Sequence, residues 1–341
     1  MRSAHASNLP CLTQLGLGAH NVRRLIKLVF GSWLALVAAS SFAAPFPERP
    51  VTFVVAYTPG GVTDVYARAI GAKLTQMWGQ PIVVDNKAGG GTIIGTQFVS
   101  RAPGDGYTLL VTSYAFTSNP VLRKNLAYDP ASLTPLLLIG TSSSMLVVGA
   151  TSPLKTLADV VARAKSAPGA IKFASSGMAS SPHISAELFA SQIGAEIVHV
   201  PYKGTTPAMT DVIGGQVDGI FDSASSMPNV RAGKLRAIAI AKETRHPMAP
   251  DVPTFRELGI DQVFGSWFGF FVPATTPQAI QQQLFADIRT AMNDPMVNDR
   301  IAKTALSIFQ GSQAQFQEFL IAEAARFKKL VQSTGNKFAI E

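Results

Sequence analysis

The stretch "VVAYTPGGVTDVYARAIGAKL", residues 54 to 74, constrains this chain more than any other. An apolar run ends in a Thr-Pro-Gly-Gly turn, and an Asp follows just where apolar residues begin to recur at helical spacing. Pro59 fixes one dihedral, while Gly60 and Gly61 permit a tight turn and leave backbone N–H groups uncovered. A helix predicted over Val62 to Met77 starts at the same spot, and its first N–H groups have no partner within the helix. Such a strand-turn-helix belongs in an α/β sheet and offers a carboxylate or phosphate a seat at its joint. Asp64, in the first helical turn, stands where an acid is favoured and can cap N–H groups. Taken alone, the stretch also reads as a plain turn with a capping Asp. It is neither a P-loop, since no Gly-Lys-Ser/Thr follows, nor a dinucleotide fingerprint, since the third glycine is missing.

Strand and helix patterns go on alternating. Strands are predicted at Val51 to Ala56, Ile82 to Val84 and Tyr107 to Thr112, with a helix from about Ile93 to Arg101. After a looser region the alternation restarts: a strand at Leu146 to Val148, a helix in "TLADVVARAKSAPG", a strand at Ile171 to Ala174, then a serine-rich loop opening another helix. Ile197 to Val200, Val217 to Phe221 and Leu235 to Ile240 complete the strands, and Thr205 to Ile213 is helical. Buried strands with covering helices argue for a parallel sheet. Beyond an aromatic strand at 264 to 274, the chain reads as helices Pro277 to Met292, Pro295 to Leu306 and Gln313 to Val331. Lacking a sheet of their own, these helices must cover the first one. That makes lobe 1 discontinuous, 44–145 plus 263–341, with lobe 2 at 146–262 and a hinge of two crossings near 133 to 148 and 262 to 272.

The front of the chain is read separately. Residues 1 to 27 carry Arg2, Arg23, Arg24 and Lys27 and no acid; an apolar stretch from Leu28 to Ala39 follows, then small residues at Ser41 and Ala43. Basic, apolar, small is the order of a secretory signal peptide, assigned here to 1–43, and the destination is the periplasm. The apolar part falls short of the ~20 residues that span a bilayer. Without the four basic residues, 25 Lys+Arg face 21 acids, so the formal +8 shrinks to about +4 with no basic patch. A nucleic-acid surface needs a patch, so that class is excluded. Cys11 leaves with the signal, and the remaining chain of about 298 residues is long enough for two cores without disulfides.

A second loop matches the first. "SSGMASSPHIS" sets Ser175, Ser176 and Gly177 after a strand, then Ala179, Ser180 and Ser181 before Pro182 and His183. Ser followed by Pro is an ordinary start for a helix. Two strand-to-helix mouths facing across a hinge would clasp a small anion from both ends. Flanking loops add Phe116, Thr117 and Asn119 from "SYAFTSNP", Tyr202, Lys203 and Gly204 from "VPYKGTTPA", and Asp222 from "DSASSMP". No histidine stands at metal-ligand spacing from another ligand, and no G-x-S-x-G elbow is present. The reading is therefore a binding protein with no catalytic residues, metal or cofactor. Two alternatives stay open: a receptor that presents ligand to a sensor, and a hydrolase on the same fold using Ser181 and His183.

Throughout its mature length the sequence resembles the Bug-type extracytoplasmic solute receptors of tripartite tricarboxylate transport systems. The segments that carry the likeness are "YTPGGVTDVYAR", "GQPIVVDNKAGGGTIIG", "PGDGYTLL", "HVPYKGTTPAM", "GGQVD", "AGKLRAIAI" and "DVPTFRELG", in that order. The resemblance implies a Venus flytrap of the type II periplasmic binding protein kind, two α/β lobes joined by crossing strands, acting as a monomer. It implies a small organic carboxylate as ligand, aromatic or dicarboxylate acids among them, and delivery to a large and a small membrane permease subunit. Carried over residue by residue, the first loop is Tyr57, Thr58, Pro59, Gly60, Gly61 and Asp64. The second is Ser175, Ser176, Gly177 and Ala179 to His183; Tyr202, Lys203 and Gly204 match a "PYKG" segment, and Asp222 a strand-end acid. "KAGGGTIIG" departs from the family at Thr92 and Ile93. Tyr57, Phe116, Met178 and Tyr202 lean the expectation toward an aromatic or compact acid.

Overall fold

A computed structural model describes residues 46–333; the predicted signal at 1–43 lies outside them. The fold from Pro47 onward is built from two runs of parallel strands flanking an antiparallel pair. In the first run, β1 (Val51–Val55) pairs in parallel with both β2 (Ile82–Asn86) and β3 (Thr108–Ser113). Helices α1 (Val62–Trp78) and α2 (Ile93–Ser100) make the crossovers that parallel pairing requires. The second run repeats this order. There β5 (Lys172–Ser175) pairs in parallel with β6 (Val198–Pro201) and β7 (Gly219–Ser223), connected through α5 (Ser181–Ile193) and α6 (Thr205–Ile213).

Between the runs lie β4 (Leu133–Gly149) and β9 (Gly265–Pro273), paired antiparallel from Leu133↔Pro273 to Ser143↔Gly265. The sheet order is β2-β1-β3-β9-β4-β7-β5-β6, with β8 (Leu235–Ile240) and the two-residue β10 (Ser307–Ile308) also on β4. Strand β4 therefore changes partners part-way, from β9 to β7 and β8 near Ser144. The sheet is mixed where the sequence pattern argued for parallel strands throughout. Strand β4 also begins thirteen residues before the Leu146 read from sequence, because Pro135 and Gly140 hide its first half. Register shifts between Pro135 and Leu137 and between Leu138 and Gly140 accommodate both residues.

The segment read as a loop, "SYAFTSNP", is mostly helix α3 (Ala115–Leu122). Pro120 removes one donor from this helix, but Phe116 and Leu122 are buried on it and hold it in place. Outside the sheet, α4 (Leu157–Ser166) and α7 (Met227–Arg231) attach to the second run. The last helices, α8 (Gln278–Asn293), α9 (Pro295–Ala302) and α10 (Gln313–Ser333), pack on α1, α3 and β4. Aromatic rings lock this arrangement: Phe53 meets Phe270 edge-on at 5.1 Å, Tyr66 meets Phe268 at 5.1 Å, and Trp267 meets Phe316 at 5.8 Å. The second run has its own core around Leu146, Phe173, Phe189, Phe221 and Phe255. No helix of the described residues is long and apolar enough to cross a membrane.

Candidate functional site

Open α/β sheets bind ligands at the carboxyl ends of strands where the winding reverses. This molecule has two such points, β1 between β2 and β3, and β5 between β6 and β7. Both open on one cleft of about 520 Å³, counting the solvent at its mouth. Gly61, Val62 and Thr63 bring the N-terminus of α1 to its wall, Ser181 and Pro182 that of α5, and Thr205 that of α6. The wall also holds eight serines, numbers 113, 142, 143, 144, 176, 181, 223 and 266, with Tyr57, Phe221 and Phe268 as its aromatic surface. Asp222 is its one carboxylate, and no Lys, Arg or His is among the lining residues. Three helix N-termini amid hydroxyls form a site for negative charge that uses no cationic side chain.

The first loop is braced from behind by Asp64. Its carboxylate accepts the Gly60 N–H and Arg68 Nε–H, each at 2.9 Å, and Asn86 Nδ2–H at 3.0 Å. Burial pushes this carboxyl up, yet the Arg68, Gly60 and Asn86 hydrogen bonds outweigh it and hold the group below the usual carboxylate range. Asn86 also donates to the Tyr57 carbonyl at 3.0 Å, tying the end of β2 to the loop. Tyr57 faces the cleft with its hydroxyl 2.6 Å from Ser113 Oγ, and burial pushes its phenol up to about 12, so it stays neutral.

The second loop rests on two histidines instead. His183 stacks on His199 with centroids 3.9 Å apart. His183 Nδ1 accepts the Ala179 N–H at 3.1 Å, which puts the ring proton on Nε2, 3.8 Å from Glu187 Oε1. His199 Nε2 makes a 2.6 Å hydrogen bond with Ser175 Oγ. Ser175 also bonds both backbone groups of Gly177, its hydroxyl donating to the carbonyl and accepting from the N–H. Burial pushes His183 down to about 3, helped by His199, and His199 down to about 4. Both rings are neutral at ordinary pH. The loop they brace is bent sharply, with φ of +127° at Gly177 and +62° at Ala179.

Of the residues singled out from sequence, Tyr57, Gly61, Ser176, Ser181 and Asp222 line the cleft. Ser175, Gly177, Ala179, Ser180 and His183 shape the second loop from behind the wall, and Asp64 does the same for the first. Phe116 packs on Phe271 at 4.3 Å, Thr117 Oγ1 donates to the Tyr114 carbonyl, and Asn119 Nδ2 donates to the Gly91 carbonyl at 2.8 Å. Those three serve the fold of α3. Tyr202 donates to Asp211 Oδ2 at 2.5 Å, and Lys203 is exposed. Met178 is not in the wall, so of the four side chains behind the aromatic expectation only Tyr57 reaches it.

The hydrolase alternative fares poorly on this geometry. His183 Nδ1 is committed to the Ala179 N–H and Nε2 carries the ring proton, so neither nitrogen can take a proton from Ser181. The serine that does contact a histidine, Ser175, is fully buried. Ser142, Ser143 and Ser144, central to the wall, escaped sequence reasoning altogether. The polar run Thr141 to Ser144 inside "LLLIGTSSSMLVVG" was the available signal: four hydroxyl residues in a row interrupt a largely apolar strand.

The two sides touch across the mouth. Thr206 Oγ1 donates to the Pro59 carbonyl at 3.1 Å, and Ser118 Oγ donates to the Ala179 carbonyl at 2.5 Å. Thr58 lies against Gly204, where a Cβ would overlap its hydroxyl, and Gly91 lies against Met178, whose carbonyl a Cβ would approach to 2.5 Å. Such contacts require bare backbone at Gly204 and Gly91. The cleft is therefore seen closed.

Residues 66–336 match the model of the tripartite tricarboxylate transporter family receptor. The chain belongs to this family. Among solved structures, the periplasmic binding protein BugD superposes with a TM-score of 0.81 at 29% identity, covering 85% of this chain and 99% of BugD. R. palustris Rpa4515 with adipate gives 0.81 at 32% identity, with 85% and 98% covered. MatC (Rpa3494) from Rhodopseudomonas palustris with bound malate gives 0.80 at 31% identity, with 84% and 100% covered. The two-lobed periplasmic binding protein fold expected from sequence is thus the fold of this receptor. Its family and neighbours are substrate-binding proteins rather than enzymes.

Proposed function

We propose that this receptor captures a small organic carboxylate between its two lobes in the periplasm and hands it to the large and small permease subunits of a tripartite transporter. The observation that carries the reading is the cleft wall, lined by three helix N-termini and eight serines where cationic side chains are lacking. Charge-assisted hydrogen bonds from N–H and O–H groups would hold the ligand's carboxylates. The adipate and malate bound by two neighbours support acids of this size. Lobe 1 would comprise 44–145 plus 263–341 and lobe 2 residues 146–262, turning about β4 and β9. The ligand favours the closed state because only there do both loops reach it at once. Tyr57, Gly61, Ser176 and Ser181 would make contacts, joined by Ser142 to Ser144 from the floor.

A thermal-shift and calorimetry panel tests this, using protein from residue 44 onward with mono-, di- and tricarboxylates, acidic amino acids, sugars and phosphates. Stoichiometric binding of one carboxylate class is expected. Binding confined to a sugar or a phosphate, or no carboxylate bound at millimolar concentration, overturns it. Co-purification of the two permease subunits with the ligand-loaded receptor tests the delivery step.

A further inference from the structure

The one carboxylate in the wall of the cleft has no counter-ion among the described residues. Asp222 ends β7, and its Oδ2 accepts from Ser226 Oγ at 2.5 Å and from Ser225 Oγ at 3.4 Å, both neutral donors. The elements packed on β7 bring no compensating charge to it. Strand β4 carries no titratable residue, and Lys172 stands at the other end of β5, beside the start of β7, where its backbone N–H bonds Asp218. On α5, His183 and Glu187 face each other; on α6, Asp211 is engaged by Tyr202. Tyr66 of α1 is the remaining titratable neighbour, its phenol kept neutral by burial and bonded to Thr304. Burial pushes the Asp222 carboxyl up, against the opposing hydrogen bonds from Ser226, the Ser223 backbone and Ser225.

An acid without a counter-ion in an anion site sets a limit on charge. Each helix N-terminus contributes roughly half a positive charge, so the three together offer about one and a half. Ionised Asp222 cancels about two-thirds of that. What remains suits a single negative charge, and a second carboxylate would enter a site already holding one.

We propose that Asp222 makes dicarboxylate binding proton-linked: a doubly ionised ligand enters the cleft with one proton from solvent, which rests on Asp222 and converts it from an acceptor into a hydrogen-bond donor toward the ligand. This rests on the carboxylate reading of the site. No covalent bond to a heavy atom forms or breaks, and the proton returns to solvent when the ligand leaves. Because the bound dianion raises the pKa of Asp222, affinity falls as pH rises through the interval between the free and the liganded values. A ligand that carried an ammonium would pair with ionised Asp222 and take up no proton.

Calorimetry of the protein with malate, adipate and succinate tests this above roughly pH 6.5, where both carboxyls of each probe are ionised. Titrations in buffers of different ionisation enthalpy count the protons. One proton taken up per dicarboxylate is expected, with Kd rising by up to about tenfold per pH unit. In Asp222→Asn the uptake disappears and the pH slope flattens. Dicarboxylate binding with no uptake and no pH slope overturns the coupling while leaving the carboxylate reading intact, as does uptake that persists in the Asn variant. If no carboxylate binds at all, both readings fall. If the Asn variant does not fold, the proton count of the unaltered protein decides alone.

Discussion

The loop that leaves β1 and the loop that leaves β5 occupy equivalent places, each after the central strand of a parallel run and before the N-terminus of a long helix. Their supports differ in kind. Behind the first stands an ionised carboxylate, Asp64, gathering Gly60, Arg68 and Asn86. Behind the second stands a neutral histidine stack that holds Ala179 through His183 and Ser175 through His199. A carboxylate draws N–H donors inward, so the first loop wraps around its brace. An unprotonated imidazole nitrogen accepts one N–H, so the second loop is pinned at single points and bent between them. Identical topology thus leaves the bracing chemistry free, and it is the bracing that sets each loop's response to acid.

The largest expected effect is on acid stability. An unfolded histidine takes a proton near pH 6.5, whereas His199 and His183 in the fold do so only near 4 and 3. Between those values the unfolded chain binds the extra protons, so stability is full above about pH 6.5 and falls as pH drops toward the folded values. The slope is up to about 1.4 kcal/mol per pH unit for each ring. Asp64 behaves differently: its depressed pKa contributes stability above the ordinary carboxylate value near 4, lost only as pH falls through the lower folded value. Hydrogen exchange at pH 7 and pH 5 is expected to show the 175–190 region loosening before 57–70, and His199→Gln to reduce the slope. Equal loosening of both loops would erase the contrast.

Next in size, Asp64→Ala is expected to cost about 2 kcal/mol, since Gly60, Asn86 and Arg68 lose a charged acceptor. Denaturant melts measure this, and exchange should rise in the first loop while the second keeps its protection. A variant as stable as the parent would mean that the helix, not the brace, holds the turn. The smallest effect tests where the second loop meets the glycine turn that follows β2. Gly91→Ala places a Cβ against the Met178 carbonyl at a residue with φ of +64°, so closure is hindered. Ligand affinity is expected to fall about tenfold, about 1.4 kcal/mol, on top of about 1 kcal/mol of stability lost in every state to the left-handed backbone. Unchanged affinity would show that the closed contacts are incidental.

Much of this fold was legible along the chain. Pro59-Gly60-Gly61 marks a turn, helical spacing follows from Val62, and Ser180-Ser181-Pro182 marks another helix start; these signals are local and the structure agrees with them to within a residue or two. The resemblance to a receptor family was legible too. What failed was anything hidden by a local contradiction. Pro120 concealed α3, and Pro135 with Gly140 concealed the first half of β4, because burial and strand pairing overrode a propensity that points the other way. Asp64 and Asp222 looked alike as acids beside turns. Only their neighbours separate them: Asp64 has Arg68 one helical turn away, while Asp222 meets two serines and the cleft.

By itself the sequence determined the strand-to-helix joints, since turn glycines, caps and apolar periodicity act within a few residues of one another. It also made the loops rich in Gly, Ser and Thr, but Lys203, placed in the site from sequence, is exposed and absent from the wall, so the lack of a cation there is a finding of the structure. Tertiary structure alone decided the floor of the cleft. Ser142 to Ser144 reach it because β4 pairs with β9, whose residues lie more than a hundred positions further along the chain. It likewise decided the pairing of Ser175 with His199, which depends on β5 and β6 lying side by side. Hydrogen bonds and burial act through space, and which groups share that space is settled only when the sheet closes its order.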